Sequence, residues 1–170
     1  MKCRPPGRHF PKGRTYMITL NKAKREDCPL LHRLQVSSFL PLLEKYRDHE
    51  TNPAAESPER ILERFIQPCT AYYLIRQTDQ IVGMLRVCDY GDHCRLSPIC
   101  ILPEFQGRGY ATEAVMAMEK RYPNAKSWEL DTILQEQKLC CLYEKLGYVR
   151  TGEYRHIKDG MDLVYYRKIL

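Results

Sequence analysis

Three consecutive segments of the chain, residues 71–77, 80–90 and 93–102, alternate apolar and polar side chains with a period of two. This period is typical of β-strands, and a short turn separates each segment from the next. Strands joined by such short turns run antiparallel. The sequence therefore predicts three adjacent antiparallel strands at the centre of the fold.

The segments on either side of this block change between helical and strand-like patterns. Before it, a strand is predicted over 15–20 and a short helix from Ser57-Pro58. Between them lies a helical pattern from Asp27, which Pro41 is expected to break into two helices because proline lacks a backbone N–H. The later elements are a helix after residue 109, a strand at 127–133, a helix that ends at Gly147, and strands at 148–157 and 162–169. This mixed order predicts one central sheet with helices packed on its faces.

Two prolines interrupt the third strand of the central block. Pro98 and Pro103 bracket the apolar run at 99–102. Because proline has no N–H to donate, this strand is not expected to pair along its whole length with the next strand of the sheet. The predicted fold class is therefore α/β (α+β): a single mixed, mostly antiparallel central sheet of about seven strands, with helices on both faces and a split between the two middle strands.

At 170 residues the chain is expected to form one folded domain, which we assign to 17–170. The formal net charge is +6, and most of it comes from five basic residues within 1–16. Prolines and glycines are also frequent there, so residues 1–16 are predicted to be a basic, disordered extension, with nucleic-acid binding as the alternative. No apolar run approaches the ~20 residues that span a bilayer, so the sequence does not predict a membrane protein.

The eight cysteines show the spacing of neither a metal site nor a disulfide framework. None forms a CxxC pair, Cys140 and Cys141 are adjacent, and Cys88 and Cys100 lie inside apolar patterns. Buried thiols that remain reduced explain this distribution better than a zinc site does. Reduced thiols in turn predict a cytoplasmic protein without a bound metal.

A glycine loop, Gln106 to Gly109, separates the third strand of the block from the helix that follows. The first turn of a helix carries unpaired N–H groups and a partial positive charge, and both attract phosphate. Gly107 and Gly109 have no Cβ atom to hold a ligand away, and Arg108 adds a positive side chain. The loop therefore predicts a pyrophosphate-binding site. Two alternatives stay open: a plain strand–helix connection, and a dinucleotide-binding fold in which Asp131 contacts a ribose.

The segment ICILPEFQGRGYA, at 99–111, resembles the acetyl-CoA signature of the GNAT superfamily of N-acetyltransferases. In that signature a Gln or Arg, a Gly, and a Gly or Ala follow an apolar strand and a proline, and Gln106, Gly109 and Ala111 occupy these places. The segment LYEKLGYVRTG, at 142–152, resembles the family's second common motif. Together with the order of elements, the resemblance extends over roughly residues 17–170.

The resemblance implies an enzyme that uses acetyl-CoA as the acetyl donor. The pyrophosphate would lie on the backbone amides of the glycine loop and the first helical turn, and the strand before the loop would hold the pantetheine arm. The cofactor-binding residues expected on this basis are Ile99, Cys100, Ile101, Gln106, Gly107, Arg108, Gly109, Tyr110, Ala111, Thr112 and Glu136. Glu136 departs from the family, which often has Asn at this place.

Tyr143 is at the position where similar enzymes place the general acid that protonates the CoA thiolate. Its alternative role is that of a core tyrosine, because it shares a helical stripe with Leu139 and Leu146. A buried phenol needs a partner, so the two roles overlap.

The general base is predicted from position alone. We select Asp131, because its strand lies beside the split and alternate side chains of a strand point to the same face. Glu129, Glu104 and His93 are the other candidates, together with a chain of water molecules.

The predicted function is direct transfer of an acetyl group to a primary amine on a small molecule or a peptide. A non-catalytic acyl-CoA-binding module is the alternative, favoured by Glu136 and by the lack of an obvious base. Four acids of the segment at 46–59 either attract a cationic amine or form a solvated loop: Asp48, Glu50, Glu56 and Glu59. Neither nucleic acid nor a membrane is an expected partner, and the sequence leaves open whether the chain is a monomer or a homodimer.

Overall fold

The computed structural model describes residues 17–170. The predicted basic extension at 1–16, and the first two residues of the strand predicted over 15–20, lie outside this range. Seven strands and four α-helices make up the described part. In chain order they are β1 (Thr19–Lys22), α1 (Cys28–Tyr46), α2 (Pro58–Phe65), β2 (Thr70–Gln77), β3 (Gln80–Asp89), β4 (His93–Ile101), α3 (Tyr110–Arg121), β5 (Ser127–Ile133), α4 (Gln137–Lys145), β6 (Val149–Lys158) and β7 (Met161–Ile169).

All seven strands form one sheet, in the order β1-β2-β3-β4-β5-β7-β6. Neighbouring strands are antiparallel except for β4 and β5, which run parallel. The short turns between β2, β3 and β4 require antiparallel pairing, whereas α3 provides the longer crossover that parallel strands need. The predicted mixed, mostly antiparallel sheet is confirmed.

Helices cover both faces of the sheet, as predicted. On one face, called here the α3/α4 face, the two later helices pack against strand residues that include Trp128 and Leu130. On the opposite α1/α2 face, the two earlier helices pack against Tyr72 and Met84. Because side chains alternate along a strand, these contacts assign the neighbouring strand residues to one face or the other. None of the helices within residues 17–170 has the length and apolar character needed to cross a bilayer.

The prediction that Pro41 divides the first helical region into two helices is wrong. α1 runs without interruption from Cys28 to Tyr46 and contains Pro41. A proline removes the hydrogen bond to the carbonyl four residues earlier, which here belongs to Ser37. Both Ser37 and Pro41 are exposed, so water can bind this carbonyl while the buried stripe that includes Leu34 holds the helix on the sheet.

The cysteines are mostly free and buried. Within residues 17–170 the free thiols are Cys28, Cys69, Cys88, Cys94, Cys100 and Cys140, and all of these except Cys69 are buried. Burial raises the pKa of the Cys94 thiol to about 12 and that of Cys100 to about 11. These thiols therefore pack as small apolar side chains, as predicted. Cys141 differs from that prediction, because it is disulfide-bonded.

Candidate active site

β4 and β5 separate after a short stretch of pairing. Their ladder joins only His93–Arg95 to Ser127–Glu129. Beyond this point β4 continues to Ile101 and β5 to Ile133 without pairing to each other. The predicted split between the two middle strands is therefore present, and it opens toward the carboxyl ends of both strands. Its closed end, at Arg95 and Glu129, is called here the fork.

The β4 edge of the split contains a β-bulge. β4 has one residue more than β3 at Ser97-Pro98, opposite Arg86. The Nε group of Arg86 donates a hydrogen bond to the Ser97 carbonyl. A bulge bends its strand and here interrupts the β3–β4 ladder, whereas the interruption predicted from the two prolines concerned pairing with the next strand, β5.

The three residues after the bulge turn their side chains away from the split. Ile99 and Ile101 pack in the core of the α3/α4 face. Cys100 packs in the core of the α1/α2 face, with its Sγ atom 3.9 Å from the Leu34 carbonyl oxygen. Each of these three predicted cofactor-binding residues can therefore contact a ligand in the split through its backbone.

The glycine loop leaves open space in front of α3. Gly107 and Gly109 have φ angles of +76° and +86°, in the region that favours glycine. A Cβ atom built on either residue meets no other atom within 4 Å. Gly109 is the N-cap of α3, so the N–H groups of the first helical turn have no partner within the helix. An open loop with unpaired amides fits a diphosphate.

The side chains of Gln106 and Arg108 donate to backbone carbonyls that precede the glycine loop. Gln106 donates through Nε2 to the carbonyl of Ile101, the last residue of β4, at 2.9 Å. Arg108 donates through Nη2 to the carbonyl of Glu104 at 3.0 Å. The Gln106 contact, which the sequence did not indicate, fixes the loop to the end of the split.

Tyr143 lies on the α3/α4 face, with 6% of its surface exposed. Its ring contacts the rings of Tyr148 and Tyr166, at centroid distances of 6.1 and 6.2 Å. Burial raises the pKa of Tyr143, and the charges of Asp131 and Cys140 raise it further, with no contribution from a hydrogen bond within residues 17–170. A phenol is already protonated at neutral pH at its ordinary pKa of 10, and the raised pKa keeps the proton on Tyr143.

Asp131 lies on the opposite, α1/α2 face, since the preceding residue Leu130 packs on the α3/α4 face. Its carboxylate forms an ion pair with Nη2 of Arg95, directly beyond the fork. Burial raises the pKa of Asp131, and the charges of Arg95 and Arg155 act against this rise. The structure thus brings the predicted base close enough to Tyr143 to affect its pKa, but in an ion pair that the sequence did not indicate.

The other candidate bases have different surroundings. Glu129, at the fork, forms an ion pair with Arg167 at 2.6 Å. His93 pairs with Asp92 at 2.6 Å, at the far end of β4 from the glycine loop. Glu104 is exposed in the turn after β4.

Glu136 joins α4 to α1. Its carboxylate accepts hydrogen bonds from Lys45 Nζ and from the Tyr46 hydroxyl, the latter at 2.5 Å. Burial acts to raise the pKa of Glu136, but the hydrogen bonds from Lys45 and Tyr46 outweigh it, so the pKa is lowered. These three residues, called here the clasp, lie beyond the open end of the split. The Glu136 side chain, which the resemblance assigned to the cofactor, is thus hydrogen-bonded to Lys45 and Tyr46 of the protein itself.

Two of the four acids at 46–59 are used within the protein. Asp48 is buried and accepts a hydrogen bond from the Glu50 backbone N–H at 3.1 Å. Glu56 forms a two-point ion pair with Arg64, with both distances 2.6 Å. Glu50 and Glu59 are exposed. Within residues 17–170, no group of three or more His, Cys, Asp or Glu side chains is arranged to hold a metal ion.

The predicted site did not include Arg86 and Arg95, which line the split on β3 and β4, or Tyr72, which lies beside Arg86 on β2. Arg86 stands inside the apolar strand segment IVGMLRVC, and Arg95 stands between the apolar residues Cys94 and Leu96. A single arginine in an otherwise apolar strand indicates a charged group on a covered face, and that signal was available.

Solved structures with the same fold include N-acetyltransferases. The ribosomal-protein-S18-alanine N-acetyltransferase of Escherichia coli matches with a TM-score of 0.73 at 14% identity, over 90% of this chain and 94% of that one. The spermidine N-acetyltransferase of Vibrio cholerae, solved with CoA and spermine, gives 0.70 at 18% identity, over 90% and 95%. An acetyltransferase of Thermus thermophilus gives 0.68 at 19% identity, over 91% and 98%. No curated protein sequence matches the chain.

A family model extends this likeness of fold to the sequence. The model described as the acetyltransferase (GNAT) family matches residues 32–148, which include the split, the glycine loop and Tyr143. The resemblance seen in the two motifs is confirmed, and the match covers more than half of the chain. The chain belongs to the GNAT family of acetyltransferases.

Proposed function

We propose that this protein transfers an acetyl group from acetyl-CoA directly to a primary amine. The observation that carries the proposal is the split between β4 and β5. The open glycine loop follows β4 at the wide end of the split. The protonated Tyr143 lies on α4, the helix that follows β5. These features supply an anion site, a strand edge without a partner and a proton donor.

On the donor side, the backbone amides of residues 106–112 bind the pyrophosphate. The partial positive charge of the α3 N-terminus supports this role. The backbone of Ile99, Cys100 and Ile101 takes the place of a strand partner for the pantetheine arm, since β5 does not pair with this part of β4. An N–H group of the bulged strand also stabilises the oxyanion that forms at the carbonyl.

Tyr143 acts as the general acid. Acetyl-CoA supplies the acetyl group and a thiolate that must be protonated as it leaves. The hydroxyl of Tyr143 carries a proton at neutral pH, as any tyrosine does, and burial and the charge of Asp131 raise its pKa further above neutrality. Its packing against Tyr148 and Tyr166 fixes the ring in place.

Asp131 accepts the proton of the incoming amine, which must be neutral to attack. Only the ionised carboxylate can do this, and the charge of Arg95 favours that form. A water molecule can carry the proton between the amine and the carboxylate.

The test is release of free CoA from acetyl-CoA across a panel of primary amines, in the wild type and in Tyr143→Phe. Amine-dependent release that the substitution lowers supports the proposal. A chain that binds acetyl-CoA but releases no CoA with any amine is a binding module instead. Two observations favour that second function: Glu136 is held by the clasp, and Asp131 is held by Arg95.

A further inference from the structure

In the proposed function the donor diphosphate lies at the start of α3, on the α3/α4 face, which leaves the α1/α2 face of the split for the acceptor. α1 crosses this face at Cys100, whose Sγ atom contacts the Leu34 carbonyl, and it ends at the clasp. Around the fork, the charged side chains of the strands themselves define the site.

Positive charge exceeds negative charge around the fork on this face. Arg95 neutralises Asp131, and Arg167 neutralises Glu129. Arg86 lies on the same face, since both of its neighbours on β3 pack on the α3/α4 face. Among the ion pairs of residues 17–170, Arg86 takes part in none.

Arg86 is held in place with most of its hydrogen-bonding capacity unused. Its Nε group donates to the carbonyl of Ser97 at the bulge, and this is its one side-chain hydrogen bond to another residue of 17–170. The Nη1 and Nη2 groups are left to bind something else. Because the side chain is half-buried, an anion in contact with it would relieve the cost of an uncompensated charge.

A second unused donor lies beside Arg86. Tyr72 is the partner of Arg86 in the β2–β3 ladder, so the two side chains are neighbours on one face. The Tyr72 hydroxyl is buried and has no hydrogen-bond partner in the described structure. Burial raises the pKa of the Tyr72 hydroxyl, and among the neighbouring charges that of Arg86 opposes this rise most strongly. A guanidinium and a phenol O–H together match the oxygens of a carboxylate or a phosphate.

We infer that the acceptor carries an acidic group, a carboxylate or a phosphate, close to its primary amine, and that Arg86 and Tyr72 bind this group. The inference rests on the proposed function, because it specifies which amines the enzyme acetylates. Polyamines are poor acceptors on this account, since Arg86 repels them. Of the four acids that would attract a polyamine, Asp48 and Glu56 are engaged within the protein, whereas Glu50 and Glu59 are exposed.

The experiment measures CoA release by the full chain with matched pairs of amines. Glycine with glycinamide and 4-aminobutyrate with butylamine test for a carboxylate, phosphoethanolamine with ethanolamine tests for a phosphate, and spermidine represents the polyamines. The acid-bearing member of at least one pair is expected to have a kcat/KM about 10- to 100-fold above that of its partner, the range for hydrogen bonds to a charged group. The pair that shows the preference identifies the acid.

The variants assign the preference to its residues. Arg86→Gln is expected to raise KM for the acid-bearing amine and to remove the preference, Arg86→Lys to keep part of it, and Tyr72→Phe to reduce it. Arg60→Gln is the control, because Arg60 is exposed on α2 and pairs with Glu63. Thermal unfolding and acetyl-CoA binding show whether each variant is folded.

Two results overturn the inference and leave the proposed function intact: a higher kcat/KM with spermidine or with the neutral amines, or an acid preference that Arg86→Gln does not change. Lack of CoA release with every amine overturns the inference and the proposed function together.

Discussion

Arg95, the last residue of β4 that pairs with β5, forms an ion pair with Asp131, two residues beyond the last paired residue of β5. Their side chains are 27% and 22% exposed, so solvent screens the pair only in part. The contact joins two strands at the point where backbone hydrogen bonds stop doing so. It also holds a negative charge near the hydroxyl of Tyr143.

The first prediction concerns Asp131 as the base. Only its ionised form accepts a proton, so kcat/KM is expected to rise with pH through a pKa that burial has raised. Asp131→Asn should lower kcat by about 10²- to 10⁴-fold and remove this ionisation from the pH–rate profile. Arg95→Gln removes a charge that lowers the Asp131 pKa, so it should move the acid limb to higher pH.

Asp162→Asn is the matched control for this measurement, because Asp162 pairs with His156 on the surface hairpin of β6 and β7. Its profile should equal that of the wild type. An Asp131→Asn enzyme with the wild-type profile assigns the base to another group.

The second prediction concerns the hydroxyl of Tyr143. Tyr143→Phe is expected to lower kcat by about 10²- to 10⁴-fold. Stability should change little, because no hydrogen bond within residues 17–170 contributes to the pKa of this hydroxyl. Phenylalanine also keeps the ring contacts with Tyr148 and Tyr166. Tyr154→Phe, at an exposed position on β6, is the control for loss of a tyrosine hydroxyl. Steady-state kinetics and thermal unfolding on both variants separate the two effects, and an unchanged kcat removes Tyr143 from the mechanism.

The fold was accessible from the sequence because its main signals are local. The period-two runs give β2, β3 and β4 to within one residue at each end, and Pro98 indicates the bulge that begins the split. Pro41 was misread because its effect on a helix depends on whether the Ser37 carbonyl reaches water, and the packing of α1 decides this.

The site was less accessible because its contacts connect residues that are distant in sequence. Asp131 was selected from strand alternation, but its partner Arg95 lies 36 positions away and depends on the register of two strands that barely pair. Glu136 was placed by resemblance, and its contacts to Lys45 and Tyr46 cross about 90 positions. No local pattern carries such information.

The third prediction concerns the clasp. The pKa of Glu136 in the folded protein is lowered from its ordinary value of 4.5. A carboxyl with a lowered pKa contributes stability that is present above its ordinary pKa and is lost as the pH falls through the lowered value. Glu136→Gln should therefore be less stable than the wild type at pH 7, and the difference should be smaller at pH 3, below the ordinary pKa of the carboxyl.

Urea unfolding of both proteins at the two pH values measures this difference. Glu63→Gln is the control, because Glu63 is 61% exposed and pairs with Arg60 on the surface of α2. A stability difference for Glu136→Gln that is equal at both pH values would show that its ionisation is not linked to folding.

The last prediction separates the backbone conformation of the glycine loop from its role in binding. Gly109 and Gly160 both have positive φ angles, +86° and +78°, and a Cβ atom on either meets nothing within 4 Å. Alanine in this conformation costs about 1–2 kcal/mol, so Gly109→Ala and Gly160→Ala should lose similar stability. Only Gly109 precedes the α3 N-terminus, so only Gly109→Ala should weaken acetyl-CoA binding, by about tenfold or more. Calorimetric titration with acetyl-CoA and thermal unfolding test both parts, and equal acetyl-CoA affinity in the two variants would place the diphosphate away from this loop.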